Sequence, residues 1–186
     1  MGGDTASAAQ GTAGDNMSVK RVLPAGAPDA QHDRAARLAS ANINPATGLA
    51  TDYLNHFNEA IMLLEMLESC PECAEDFRAW RPMSYREHFA QPQYKHRAIA
   101  IDAYEQADPI ARHYLDTLAD AMTDVLQATR KAFVADLPPS AAIQLAERTA
   151  AWLRPLVARA AAVINGETDA DAALAPQAAI DRLMKR

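Results

Sequence analysis

The run LATDYLNHFNEAIMLLEMLESCPEC, residues 49–73, decides the fold class. At 100° per residue, Ala50, Tyr53, Leu54, Phe57, Ala60, Ile61 and Leu64 fall on one side of a helix, the stripe that a bundle helix buries. In the second half the far side is apolar too, with Met62, Leu63 and Met66, which predicts a central helix surrounded by other elements. In the first half the far side carries Asp52, His56 and Glu59, a polar patch expected to face water or a wet pocket. The expected helix runs from about 48 to 69 and bends at Pro71, between Cys70 and Cys73.

The rest of the chain repeats this helical period. A Ser84-x-x-Glu87 capping box opens a short helix in the 71–91 connector. Further helices are expected at about 92–106, 109–134 and 140–164. Asp108-Pro109 starts the third of the four and Asn165-Gly166 stops the last, while Pro155 lies inside it. The 92–106 helix is expected to bury Tyr94, Ala98, Ile101 and either Tyr104 or Glu105, and the next one Ile110, Tyr114, Leu115, Leu118, Met122, Val125, Leu126 and Phe133. Alanine is abundant and only seven glycines occur in 186 residues, of which 49% are hydrophobic, enough for one real core. The expectation is therefore an all-α protein: an up-down helical bundle of about four long helices with short connecting helices.

Three parts follow from the pattern. Residues 1–44 show no sustained apolar period and read as a disordered N-terminal arm, with at most a helical turn at 33–40. Residues 45–166 form the bundle, and 167–186 a tail with a short terminal helix at 176–185. The N-terminus has no charged start leading into an apolar core, and no apolar run approaches the length of a membrane span. With only two cysteines, the location expected is the cytoplasm, with no membrane. A formal net charge of −6 argues against nucleic acid as the partner.

Several chemistries are missing their parts. After residue 48 the only glycine is Gly166, so no loop can cradle phosphate, and no nucleophile elbow occurs. Acid-x-x-His, the unit of carboxylate-bridged di-iron bundles, occurs only as Asp29–His32 in the arm. The reverse order, His56–Glu59 and His113–Asp116, competes with a solvated polar face.

Two features remain. Cys70 and Cys73 could join His88 and His96 around zinc or iron, or act as a thiol–disulfide pair. The competing structural reading buries both where the helix bends, with no cofactor. Charge is also lopsided: residues 48–76 hold seven acidic side chains and no lysine or arginine, whereas 77–97 hold five basic ones, one acidic one and five of the eleven aromatics. Arg78, Trp80, Arg81, Tyr85 and Arg86 are thus candidates for a partner-binding surface, unless the connector folds back to neutralise the acidic helix within the molecule. The function expected is that of a non-enzymatic interaction or regulatory protein, acting through this connector and the adjoining helix on a protein partner or a second copy. The alternative is a metal-binding or thiol redox protein.

Overall fold

The computed structural model describes residues 27–135 and 137–167, and these are mostly helical. In chain order the elements are α1 (Ala27–Ser40), a 3-10 turn (Thr51–Leu54), α2 (Asn55–Glu65), α3 (Cys73–Ala79), α4 (Tyr85–Ala90), α5 (Arg97–Glu105), α6 (Pro109–Val134) and α7 (Pro139–Asn165). Among the described residues there is no strand, only an isolated bridge between Ile43 and Ala50. None of these helices is long and apolar enough to cross a membrane. The terminal helix expected at 176–185 lies outside the described residues.

Helices α6 and α7 are the long ones, of 26 and 27 residues. A short connector turns one back on the other, and they pack along their length. Midway, the buried Thr129 and Thr149 hydroxyls meet at 3.0 Å, and Thr129 also donates to the Val125 carbonyl at 2.9 Å. Helix α7 packs on α2 through its other flank. Phe57, Ile61 and Leu64 of α2, Leu115, Met122, Leu126 and Phe133 of α6, and Leu153 and Ile164 of α7 are fully buried. Burying each such side chain contributes about 1.5–3 kcal/mol.

The caps legible in the sequence are in place. Ser84 and Glu87 satisfy each other's backbone donors, and the Asp108 carboxylate accepts from the Ile110 and Ala111 amides. Gly166 closes α7 at φ +77°, with its amide on Val163 O and the Glu167 amide on Ala162 O. This paired pattern satisfies carbonyls that the helix itself leaves open.

Elsewhere the expectation needs correction. Two of the four expected long helices are short: α2 has 11 residues and α5 nine. A residue before proline resists helical geometry, so Cys70 ahead of Pro71 does not carry the helix onward and 66–72 pass through turns; 91–96 are likewise irregular ahead of α5. Residues 27–40, assigned to the arm, form a full helix whose Leu38 enters the core. Met62 and Met66, expected inside, are instead 50% and 41% exposed. Ile110 lies in the first turn of α6 and is exposed. In α5 the buried face consists of Ala100 and Ala103, while Ala98 is exposed.

Between α1 and α2 the chain makes a tight loop that buries Ile43, Leu49 and Ala50. Gly48 turns at φ +74° where a Cβ would stand 2.9 Å from Ala103 O and 3.3 Å from Ala107 Cα. Thr47 ties the loop to the end of α7, its hydroxyl donating to Ile164 O at 2.6 Å.

Candidate functional site: the connector folded against α2

Residues 66–96 fold back against α2 and cover His56, one residue of the face expected to be polar. His56 is the centre of the contact. Only 3% exposed, its imidazole lies on the Trp80 indole with ring centroids 4.7 Å apart and planes 20° from parallel. Trp80 Nε1 donates to the His56 carbonyl at 3.3 Å. Neither ring nitrogen of His56 has a hydrogen-bond partner among the described residues. Burial, with a smaller contribution from His88, lowers its pKa to about 4. The expected patch is therefore split: His56 is in the core, Asp52 is half-buried and Glu59 is exposed.

His88, 5% exposed, sits in the next layer, its ring centroid 6.2 Å from that of His56. Tyr53, Phe89 and Tyr94 surround it at 5.7, 5.0 and 4.8 Å, and its Nε2 lies 2.6 Å from the Tyr94 hydroxyl. Burial lowers the His88 pKa, while the backbone and carboxylate of Asp52 act in the opposite sense. Tyr94, with Asp52 and His96, also lines a polar cleft of about 340 Å³. Beyond it, Tyr85 stacks on Tyr104 at 4.4 Å and accepts the Ala50 amide at 3.0 Å, and Tyr104 donates to Asp116 at 2.7 Å. Burial raises the pKa of both phenols.

The residues proposed to meet a partner are thus divided. Trp80 and Tyr85 are buried. Arg78 donates from Nε to Phe133 O at 3.0 Å and pairs with Glu75 at 2.6 Å. Arg81 Nη1 lies 2.8–2.9 Å from the carbonyls of Arg78, Ala79 and Trp80, capping α3. Arg86 pairs with Glu105. The neutralisation expected between connector and acidic helix is mostly absent, since Glu65 of α2 is met by Arg154 of α7 at 2.5 Å.

The metal set does not assemble. Among the described residues no three His, Cys, Asp or Glu side chains come together as metal ligands. His88 is held within the aromatic layer and His96 is exposed before α5, whereas the cysteines stand at the start of α3. Both thiols are free; Cys70 is half-exposed and Cys73 buried. Hydrogen bonding with the Cys70 side chain and burial, aided by Glu72 and Asp76, raise the Cys73 pKa to about 11.

Where α2 runs into the connector, Leu67, Glu68, Pro71 and Arg78 face Phe133 and Ile143 of the α6–α7 hairpin across a cleft of about 270 Å³. It adjoins the turn of α2 that exposes Met66. No protein-family model, curated protein or solved structure matches this chain.

The His56–Trp80 pair and the exposure of Met62 and Met66 escaped sequence reasoning. No local period links residues 24 apart, and an apolar residue on the outer side of a helix reads the same whether or not something covers it.

Proposed function

We propose that this chain is a non-enzymatic helical interaction or regulatory protein, cytoplasmic, whose α2, α5, α6 and α7 act as an up-down bundle presenting the outer face of α2 to a protein partner. The observation that carries the reading is the pair Met62 and Met66, one turn apart and 50% and 41% exposed, on a segment with acidic side chains and no lysine or arginine. Methionine is unbranched and polarizable, and it suits surfaces that receive another helix. Glu59 and Glu68 flank the pair, so charge complementarity favours a basic amphipathic helix. The connector enters through the cleft beyond Met66, where Arg78 stands opposite the hairpin. Trp80 and Tyr85 serve as the support beneath.

The test is a titration with a synthetic amphipathic peptide carrying leucine at helical spacing and lysine elsewhere. Methionine methyl resonances of Met62 and Met66 should shift on binding, and the Met62→Ser/Met66→Ser protein should lose the affinity with its helicity intact. Unshifted methyls, or binding indifferent to the double substitution, would remove the reading. Sedimentation of the free protein decides whether the partner is instead a second copy: a dimer abolished by the same substitutions would say so.

The thiol redox alternative rests on the two free thiols three residues apart, Cys70 the more exposed and Cys73 buried. In that reading Cys70, the more exposed thiol, attacks a small disulfide such as oxidised glutathione and releases one thiol. Cys73 then displaces the second, leaving a Cys70–Cys73 disulfide and two reduced small thiols. Thiol titration across glutathione buffers tests it; two free thiols under every cytosolic condition would end it.

A further inference from the structure

We propose that the packing of the connector on α2 is a pH-operated latch, held by neutral His56 and His88 and released when they take up protons. The inference does not depend on what occupies the outer face of α2.

Three relationships carry it. First, an imidazolium has two N–H donors, and His56 has no acceptor for either, both ring nitrogens being enclosed and unpartnered among the described residues. Secondly, the groups around the pair are mostly neutral rings. From the connector His56 meets the Trp80 ring and His88, and from its own helix the ring of Phe57, with no acidic group in contact. His88 meets the Tyr53, Phe89 and Tyr94 rings, and Asp52, whose backbone and carboxylate favour its charged form. Charging both histidines would set like charges on rings 6.2 Å apart, one on α2 and one on α4. Thirdly, His88 is linked to solvent: the Tyr94 hydroxyl, on His88 Nε2, belongs to a residue lining the polar cleft of about 340 Å³.

The weaker side of this contact should yield. Helix α2 packs on α7 and buries Phe57, Ile61 and Leu64, whereas the connector carries only the seven-residue α3 and the six-residue α4. Short helices depend on tertiary packing for their stability. Release would expose Trp80 and leave α2, α6 and α7 in place.

Trp152→Phe in the full chain makes Trp80 the sole tryptophan and a direct reporter. As pH falls from 6.5 towards 4, Trp80 emission should shift to the red and its near-ultraviolet dichroism disappear reversibly, while far-ultraviolet ellipticity stays nearly constant. Adding His56→Phe, which keeps a ring against Trp80 but cannot charge, should move the midpoint down by about one pH unit or more. A side-chain NMR titration of His56 in the unsubstituted protein keeps the test valid should that variant fold poorly. Its resonances should report a proton uptake well below the ordinary histidine range. Invariant Trp80 emission down to pH 4, a midpoint untouched by His56→Phe, simultaneous loss of all helicity, or an ordinary His56 titration would each overturn the proposal.

Discussion

His56 lies flat against Trp80, centroid to centroid 4.7 Å, and accepts the indole N–H on its own backbone carbonyl. One residue of α2 thus fixes the connector twice, through its ring and through its main chain, and the ring nitrogens are enclosed without an acceptor for a second proton. The folded pKa of about 4 lies below the unfolded value of 6.5. The unfolded chain therefore binds the proton more tightly, and the stabilisation is complete above pH 6.5. It declines as pH falls from 6.5 towards 4 and is fully lost below that range. Urea denaturation at several pH values should show unfolding free energy falling by up to about 1.4 kcal/mol per pH unit for this histidine. His88, also lowered, adds to the slope. The His56→Phe protein should be visibly flatter in the same window.

Gly48 and Gly166 both have positive φ, but only Gly48 faces backbone at 2.9 Å. Gly166→Ala should cost about 1 kcal/mol, the strain of a left-handed alanine. Gly48→Ala carries that strain plus a clash with a carbonyl that cannot swing aside, so about 2–4 kcal/mol is expected. Urea midpoints of the two variants should rank in that order.

Thr129 and Thr149 share a buried hydroxyl contact at 3.0 Å. Thr149→Val alone should cost about 1–2 kcal/mol, because it removes one partner of the buried contact. The double valine variant should cost less than the sum of the singles, giving a coupling energy of about 0.5–1 kcal/mol in a double-mutant cycle. Strict additivity would mean that the two hydroxyls do not interact.

Arg78 and Arg81 donate to main-chain carbonyls, whereas Arg86 only meets an exposed Glu105. Arg78→Gln and Arg81→Gln together should lower stability by about 1–3 kcal/mol. Arg86→Gln should cost under about 1 kcal/mol, and less at high salt. Thermal denaturation at two ionic strengths separates the two classes.

The acidic–basic contrast between 48–76 and 77–97 suggested that the connector folds onto α2, and it does so through rings, with charge in a minor part. Trp80, Tyr85 and Phe89 enter the core because their apolar area gains more from burial than from solvent, while the arginines keep their heads at the edge and cap helix ends. The acid of α2 that finds a cation finds it in Arg154, 89 residues away. Sequence spacing gives no access to such a partner.

What the sequence alone determined is local: helical period within 48–69, at 109–134 and at 140–164, the capping box at Ser84–Glu87, the Asp108 cap and the stop at Gly166. Each rests on hydrogen bonds and side-chain directions within a turn or two of the chain, so the residues themselves carry the information. What the tertiary structure decided is which sides of those helices are covered. It placed His56 and His88 in the core, divided the metal candidates, and left Met62 and Met66 in the open. Burial at any of these positions is set by an element distant in sequence, and burial is what turns a histidine into a neutral packing group, while its absence leaves a methionine pair exposed.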